Sequence, residues 1–260
     1  MEPMSGGDGM TAPRLSVLVV AHNEAAQLVA CLDRLTFADE IVVVLDRCTD
    51  DTRAVAARYT EHLIEGAWEI EGPRRNTGIE ACTGEWIFEV DADERVSIAL
   101  AEEIRQVIAH ARHGYFLLPY DNYIGDRLVR HGWGASWGVS ATVRLFSRGA
   151  KRWGDQRIHP GVELSGERRW LTTPMEHYVD RDISDMIHRL DRYSTMRARD
   201  LRDSGDIGSL ANNVRRLFSR FFKCYALRKG YREGGYGVLI ALFAGLYPLL
   251  SHLKARYEAD

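Results

Sequence analysis

The stretch that decides the fold runs Leu15-Ser16-Val17-Leu18-Val19-Val20 and continues as Ala21-His22-Asn23-Glu24. Its nearly unbroken apolar and β-branched character is typical of a strand buried on both faces of a parallel sheet. Apolar side chains then recur at helical spacing, at Leu28, Cys31, Leu32 and Leu35. A buried strand that passes through a short polar turn into a helix is the first half of a βαβ unit.

The same alternation continues as far as residue 90. Further buried strands are predicted at residues 41–45, 62–64 and 86–90. Helices are predicted at residues 54–59, where Thr49-Asp50-Asp51-Thr52 can act as a cap, and at 75–82. This pattern predicts an α/β fold with a mostly parallel, doubly wound sheet. In such sheets ligands bind outside the carboxyl ends of the strands.

Polar side chains follow three of these strands where each strand ends. Asn23 and Glu24 follow the first strand, Asp46 follows the second, and Asp91 and Asp93 follow the fourth. Two carboxylates at i and i+2 can converge on one hard divalent cation such as Mg²⁺ or Mn²⁺. Any one of these residues alone is better explained as a helix cap or a turn residue. Their shared position on one rim favours a ligand site.

The turn after the first strand argues against two common nucleotide sites. It contains neither the Gly-X-Gly-X-X-Gly pattern of dinucleotide-binding proteins nor a Walker-type phosphate loop. An acidic, amide-bearing turn suits contacts with a base and ribose better than contacts with a phosphate. A metal at Asp91 and Asp93 would then balance the phosphate charge.

The bulk properties exclude several protein classes. The 260 residues are 45% hydrophobic and 27% charged, which is typical of one large globular domain with or without an appendage. The net charge of −3 argues against general attraction to nucleic acid. Four scattered cysteines without a Cys-X-X-Cys pair indicate neither zinc nor disulfides and fit a reducing cytosol. Residues 1–13 lack the features of a signal peptide and are predicted to form a disordered leader.

Four ordered motifs resemble the family-two GT-A glycosyltransferases. They are Val20-Ala21-His22-Asn23-Glu24, Val44-Leu45-Asp46-Arg47-Cys48-Thr49-Asp50-Asp51-Thr52, Arg75-Asn76-Thr77-Gly78 and Asp91-Ala92-Asp93. Residues 35–41 and 84–87 resemble more narrowly the small bacterial lipopolysaccharide core glucosyl- and heptosyltransferases. The likeness is close over residues 14–95. It continues more loosely through Arg144-Leu145-Phe146, Ile158-His159-Pro160 and His177-Tyr178.

The resemblance implies inverting transfer of a sugar from a nucleotide donor, usually a UDP- or ADP-linked one. It also implies that Asn23, Glu24 and Asp46 hold the nucleoside and that Arg75 lies near the base or diphosphate. Asp91 would lie near the ribose and diphosphate. Together with Asp93 it would hold the divalent cation, Mg²⁺ or Mn²⁺.

The sequence identifies the catalytic base and a third metal ligand less clearly. Related enzymes often place Glu directly after the His of the His159 segment, but this chain has Pro160. The candidates for the base that deprotonates the acceptor are therefore Glu163, Asp155 and Glu176, with His159 as an outside choice. His177 is a candidate third metal ligand, as a His is in some GT-A folds, and a hydrogen-bonded loop histidine is the alternative.

The middle of the chain is rich in aromatic and glycine residues. Gly132-Trp133-Gly134-Ala135-Ser136-Trp137-Gly138 is too rich in glycine for a helix or a regular strand. Because aromatic faces on loops suit sugar rings, this stretch is a candidate acceptor-site loop. Core packing is the alternative explanation for its two tryptophans.

The C-terminal part differs in composition, with a basic and aromatic segment followed by an apolar one. Residues 211–232 contain seven basic residues and no acidic one, interleaved with aromatic and leucine residues, which is typical of a membrane-surface helix. Residues 236–253 are mostly apolar, but they are short for a bilayer span and contain Pro248, Ser251 and His252. A helix that packs on the catalytic domain or dips into the leaflet is preferred to a full span. An intramolecular helical hairpin or a dimer interface is the alternative.

These observations together predict three segments and a function. The segments are a leader at 1–13, a GT-A domain at 14–205 and a helical membrane-associating tail at 206–260. The expected function is inverting transfer of a sugar to a lipid-linked or lipopolysaccharide-core acceptor at the cytoplasmic face of the inner membrane. The expected partners are a nucleotide-sugar donor, a lipid-linked glycan acceptor and the membrane surface, without nucleic acid and with homo-oligomerisation left open. A non-catalytic nucleotide- or membrane-binding scaffold and a sugar-nucleotide pyrophosphorylase are the alternatives.

Overall fold

The computed structural model describes residues 12–134, 137–155 and 161–258. Most of the leader predicted at 1–13, together with His159 and Pro160, lies outside these residues. The strands are β1 Leu15–Ala21, β2 Glu40–Asp46, β3 Leu63–Gly66, β4 Trp86–Asp91, β5 Glu94–Arg95, β6 Gly114–Ile124, β7 Arg127–Val129, β8 Ala141–Ser147, β9 Lys151–Trp153, β10 Val162–Leu164, β11 Glu167–Trp170 and β12 Met175–Asp180. The α-helices are α1 Ala25–Leu32, α2 Thr52–Ala56, α3 Glu71–Ala81, α4 Ile98–His110, α5 Ile183–Asp203, α6 Leu210–Phe222 and α7 Gly235–Tyr257.

One large mixed sheet organises the first half of the chain. Its strand order is β3-β2-β1-β4-β8-β6-β12-β5, with β7 and β11 also paired to β6. The first four strands of this order are mutually parallel, and β8 is inserted antiparallel between β4 and β6. The four predicted strands and the mostly parallel α/β sheet are confirmed. A short antiparallel pair, β9 and β10, lies apart from this sheet.

Burial on both faces explains why β1 is so apolar, since all seven of its residues are buried. On one face β1 and β4 share a core with α1 and α4. On the other face Leu18 and Val44 meet α3 at Gly78, where an added Cβ would lie 2.4 Å from a Leu18 methyl. This close approach sets α3 directly on the sheet. Helix α3 begins at Glu71, earlier than predicted, because Pro73 is tolerated in the first helical turn.

A second hydrophobic core joins the C-terminal helices to the sheet domain. It contains Ile124 and Val129 from β6 and β7, Met186 and Leu190 from α5, and residues 240–244 of α7. The predicted boundary near residue 205 falls between α5 and α6, and this core crosses it. Segment 206–258 is therefore packed into the rest of the protein.

Helix α7 is the one helix in the described ranges that is long and apolar enough to cross a membrane, although length and composition alone are weak evidence for a span. Half of the most apolar 18-residue stretch of this helix is buried inside the protein. It packs against α5 and α6, and Gly245 lies so close to α6 that an added Cβ would lie 2.6 Å from the Leu217 carbonyl oxygen. These contacts agree with a helix that packs on the catalytic domain.

Trp133 and Trp137 are both buried in this second core, so core packing explains Trp137, whereas Trp133 also lines an open cavity together with Arg130 and Arg228. Trp137 is fully buried and makes an edge contact with Phe243. The Arg189 guanidinium lies 4.1 Å from the centre of the Trp137 ring. Trp133 donates its indole N–H to the Val129 carbonyl at 2.6 Å. Gly132, Gly134 and Gly138 have positive φ, and Gly138 lies so close to the Trp133 ring that an added Cβ would be 2.4 Å from a ring carbon.

Candidate functional site

The polar residues predicted at the strand ends lie on one rim of the sheet. Val20 of β1 is in register with Val44 of β2 and with Asp91 of β4, so the three strands end at the same level. Asp46 and Asp93 stand at this edge, as do Asn23 and Glu24 in the turn after β1. The shared edge expected from the sequence is confirmed.

Asn23 joins the loops that follow β1 and β2. It has a left-handed backbone with φ +56°, which asparagine tolerates better than most residues. Its side-chain oxygen accepts hydrogen bonds from the backbone N–H groups of Thr49 at 2.7 Å and Asp50 at 3.3 Å. The Thr52 hydroxyl in turn accepts from the Glu24 N–H at 2.8 Å, at the start of α1. The Asn23 and Glu24 turn is thus held by the neighbouring loop.

The Asp46 carboxylate is buried and fully engaged. It accepts hydrogen bonds from Arg47 at 2.9 Å, from Arg74 at 2.8 Å and from the backbone N–H of Trp68 at 3.1 Å. Burial raises the pKa of Asp46, but these donors and the positive charge of Arg74 outweigh it and lower the pKa below the usual value. Asp46 is therefore an anion that positions two arginines at the rim.

The two oxygens of Asp91 are bonded to two guanidinium groups. Arg75 donates to one oxygen at 3.0 Å, and Arg144 donates to the other. Arg144 also donates to Glu94 at 2.6 Å and to the Tyr120 hydroxyl at 2.7 Å. Partial burial raises the pKa of Asp91, but the charges of Arg144 and Arg75 outweigh it and hold the pKa far below the usual value. Asp91 therefore anchors the two arginines.

A further group of buried and half-buried residues, Glu89, Lys151 and Trp153, lies next to Arg75. Glu89 of β4 is fully buried and pairs with the Lys151 ammonium, and it accepts the Trp153 indole N–H at 2.9 Å. The Arg75 guanidinium lies 5.1 Å from the centre of the Trp153 ring. Burial raises the pKa of Glu89, but the charges of Lys151, Arg75 and Arg144 outweigh it and lower the pKa.

Sequence reasoning missed this supporting network, although signals for it were present. Glu89 is the one charged residue inside the apolar run 86–90, and Arg144 stands directly before Leu145-Phe146 in a strand. A charge inside a buried strand needs a buried partner of opposite sign. The sequence does not identify that partner, because Lys151 and Arg144 are distant from Glu89 and Asp91 along the chain.

Asp93 and His177 lie next to each other at the rim. The His177 Nε2 atom is 3.4 Å from an Asp93 oxygen, and its Nδ1 atom is 2.8 Å from the Asn122 side-chain oxygen. Because an amide oxygen only accepts, Nδ1 carries the proton and Nε2 faces Asp93. Burial lowers the pKa of His177, but the hydrogen bond and charge of Asp93 outweigh it and raise the pKa. Burial and the charge of Asp93 also raise the pKa of Glu24, so Glu24 belongs to the same cluster.

The side chains around Asp93 provide some, but not all, of the ligands that a divalent cation needs. Of the three predicted metal ligands, Asp91 has both oxygens bonded to arginines, whereas Asp93 is partly exposed and the His177 Nε2 atom faces it. A carboxylate oxygen and an imidazole nitrogen suit Mn²⁺, and such ions commonly complete their coordination with substrate oxygens and water. Across residues 12–134, 137–155 and 161–258, no group of three or more His, Cys, Asp or Glu side chains is arranged to hold a metal ion.

The structure does not bring the candidate bases into this cluster. Glu163 of β10 is paired with Arg152 of β9, and both side chains are exposed. Paired residues of antiparallel strands share a face, so Glu163 lies on the opposite face from Lys151 and Trp153, which contact Glu89. Asp155 is exposed directly after β9, and Glu176 lies on β12 opposite Arg95.

Comparison with known proteins agrees with this architecture. The sequence model of glycosyl transferase family 2 matches residues 16–159, which include the strand ends described above. The chain is 25% identical to the lipopolysaccharide core biosynthesis glycosyltransferase LpsC of Rhizobium meliloti, over 95% of this chain and 96% of the relative. It is 23% identical to an uncharacterised glycosyltransferase of Rickettsia felis, over 94% of this chain and 89% of the relative.

One solved structure resembles the whole chain. It is the mannosyltransferase PcManGT of Pyrobaculum calidifontis in complex with GDP-Man and Mn²⁺, with a TM-score of 0.51, 17% identity, and coverage of 100% of this chain and 92% of that one. The family match, the homologues and the sheet with its polar rim lead to one conclusion. This chain belongs to glycosyl transferase family 2 and is a glycosyltransferase with a GT-A fold.

Proposed function

We propose that the protein transfers a sugar, with inversion, from a nucleotide-sugar donor to a lipid-linked or lipopolysaccharide-core acceptor at the cytoplasmic face of the inner membrane. The observation that carries the proposal is the rim of strand ends that bears Asn23, Glu24, Asp46 and Asp93, with His177 beside Asp93. The near full-length similarity to LpsC supports the choice of acceptor class. The four cysteines are unpaired, which fits a reducing compartment.

The rim offers distinct groups to the parts of a nucleotide sugar. Asn23 and Glu24 present amide and carboxyl groups for the base and ribose, and Asp46 fixes Arg47 and Arg74 beside them. Arg75 lies near the diphosphate and is held there by Asp91. Asp93 and His177 would hold the divalent cation, with Asp91 acting through its arginines. When bound, such a cation supplies positive charge against the leaving nucleoside diphosphate.

The direct test is a transfer assay with UDP-, ADP-, GDP- and CMP-linked sugars, Mn²⁺ and a short-core lipopolysaccharide. Release of the leaving nucleotide (UDP, ADP or GDP, or CMP from a CMP-linked sugar) that depends on the acceptor supports the proposal, and the anomeric configuration of the product reports inversion. Nucleotide binding without turnover on any acceptor would favour the alternative of a non-catalytic scaffold. Synthesis of a nucleotide sugar from a sugar phosphate would favour the pyrophosphorylase alternative.

We propose that the base is Glu163 of β10 or Asp155, two residues after β9, reached by an acceptor that binds over this pair of strands. Removing a general base costs about 10²-fold or more in rate. Either Glu163→Gln or Asp155→Asn is expected to lower kcat by that factor while nucleotide affinity stays unchanged. Glu102→Gln, at an exposed position of α4, is the matched control. Losses below about threefold in both variants would refute the assignment and direct attention to Glu176.

Helix α6 is the proposed membrane contact. Leu210, Val214, Phe218 and Phe222 recur every fourth residue and are exposed, so they form a continuous apolar stripe on the free face of the helix. Exposed Arg215 lies beside the stripe. An apolar stripe bordered by a cation suits the surface of an anionic leaflet, where a basic residue contributes about 1 kcal/mol.

Point variants test this contact better than deletion of the tail, because truncation after Ser209 would remove α7 from the second core. Phe218→Ser with Phe222→Ser is expected to abolish binding to vesicles that contain phosphatidylglycerol, since the stripe would no longer enter the leaflet. Arg215→Gln is expected to weaken binding by about 1 kcal/mol, or roughly fivefold. Ile98→Ser removes a similarly exposed side chain from α4 and is the control. Unchanged vesicle binding by both the double phenylalanine variant and Arg215→Gln would rule out α6 as the anchor.

A further inference from the structure

A cavity of about 300 Å³ lies beside the rim, on the side of β6. Its polar lining comes from three parts of the chain: strand β6, the loop residues before Trp133 and after Trp137, and the segment between α6 and α7. The polar residues are Tyr120, Asn122, Arg130, Ser140, Arg228 and Lys229. The cavity is therefore built jointly by the sheet domain and the C-terminal segment.

Side chains that line the cavity also contact residues of the proposed donor site. Asn122 lines it and is hydrogen-bonded to His177, which faces Asp93. Tyr120 lines it as well, and its hydroxyl accepts from Arg144, the partner of Asp91. A group bound in the cavity would thus lie next to the rim where the donor's diphosphate is expected.

The charge of the lining is one-sided. Arg130, Arg228 and Lys229 contribute three cations, and the described residues of the lining include no carboxylate. A buried nitrogen of the Arg228 guanidinium, Nη1, has no hydrogen-bond partner among the described residues. An unpartnered buried cationic nitrogen is costly unless an anion satisfies it. Three cations around one cavity suit a dianion better than a single carboxylate.

The backbone at Arg130 and the side chain of Arg228 are held in place by their surroundings. Glu233 accepts from the backbone N–H groups of Arg130 at 3.1 Å and His131 at 3.0 Å, so its charge is used to fix the loop. The Arg228 guanidinium packs against Gly134, where an added Cβ would lie 1.7 Å from Nη1. Arg228 and the loop backbone are thus fixed before any ligand binds, which lowers the entropic cost of ordering this part of the site.

We propose that this cavity is an acceptor subsite that binds a phosphate group of the glycolipid acceptor and so positions the accepting sugar against the donor. The proposal rests on the proposed function. The entrance supports a lipid-borne ligand, because Leu227 lines the cavity, is largely exposed and follows α6. A phosphorylated headgroup could enter the cavity while α6 remained on the leaflet. A bulk phospholipid headgroup carries the same chemistry, and the experiment separates the two sources.

The test uses the full chain and an Arg130→Gln, Lys229→Gln double variant, because both side chains are exposed and their loss spares the core. Arg58→Gln with Arg112→Gln removes two exposed arginines elsewhere and is the charge-matched control. Binding is measured on phosphatidylcholine vesicles that carry phosphatidylglycerol, a short-core lipopolysaccharide, or the same lipopolysaccharide after removal of its phosphate with hydrogen fluoride. The melting temperature and the affinity for nucleotide with Mn²⁺ are recorded for each variant.

We expect the wild-type protein to bind the phosphorylated lipopolysaccharide more tightly than phosphatidylglycerol. The double variant should lose this affinity by about tenfold or more, and dephosphorylation should reduce the wild-type protein to the same level. Affinity for phosphatidylglycerol, nucleotide affinity and melting temperature should match the control. If the double variant lost affinity for phosphatidylglycerol vesicles by the same factor, the cavity would bind bulk phospholipid and the proposal would be overturned. Wild-type-like binding by the double variant, or no effect of dephosphorylation, would also overturn it. Failure of the proposed function would instead show as absent nucleoside diphosphate release by the wild-type protein.

Discussion

Asp93→Asn is expected to abolish metal-dependent turnover, with a loss in kcat of about 10³-fold or more. Asp93 supplies the partly exposed carboxylate at the rim, and His177 stands 3.4 Å from it. The amide of asparagine removes the negative charge that would hold the cation while preserving the shape of the side chain. Turnover with Mn²⁺ titrated over a wide range measures the effect, and the unfolding midpoint checks that the fold is intact.

Asp126→Asn is the matched control, because Asp126 is an exposed aspartate in the turn between β6 and β7, outside the rim. Its turnover and its dependence on Mn²⁺ should equal those of the wild-type protein. A variant at Asp93 that kept wild-type turnover and the same metal dependence would remove Asp93 from the metal assignment.

Arg144→Met is expected to destabilise the protein by about 3–5 kcal/mol. The side chain is one-tenth exposed and donates to Asp91, Glu94 and Tyr120 at once. Its removal leaves two carboxylates facing each other without their shared cation. Burial already raises the pKa of Glu94, opposed by the charge of Arg144, so Glu94 would take up a proton at higher pH in the variant. Urea denaturation at neutral pH measures the loss.

Arg152→Met is the control for Arg144, because Arg152 is mostly exposed and its nearest carboxylate contact, with Glu80, is 3.6 Å long. Its unfolding midpoint should stay close to that of the wild-type protein. Arg144→Lys should recover only part of the stability, since one ammonium group cannot reproduce the forked contacts of a guanidinium. An Arg144→Met midpoint equal to that of the control would show that the buried network does not stabilise the fold.

The sequence predicted the sheet well because local patterns determine it. The run 15–20 is buried throughout, and residues 41–45, 62–64 and 86–90 form the other parallel strands. The rim followed from the same reasoning, since parallel strands place their carboxyl ends at one edge. Ser97 caps α4, where its hydroxyl accepts the Leu100 N–H at 3.2 Å.

Contacts between distant parts of the chain could not be predicted in this way. Asp91 and Asp93 are equivalent in the sequence pattern, yet two arginines bond to Asp91 and leave Asp93 partly exposed. That distinction depends on Arg144, which is 53 residues away along the chain. Trp133 and Trp137 were ambiguous for a similar reason, because the core that buries them is completed by α5 and α7.

The most direct test of a metal-dependent donor site at this rim is a thermal-shift series with UDP, ADP, GDP and CMP, each with and without Mn²⁺. It is performed on the wild-type protein and on Asp93→Asn. One nucleotide is expected to stabilise the wild-type protein by about 2.7 kcal/mol at a concentration of about 100 times its Kd. The shift should require Mn²⁺ and should vanish in Asp93→Asn. A wild-type protein that shows no shift with any nucleotide, or the same shift without metal and in the variant, would contradict the account.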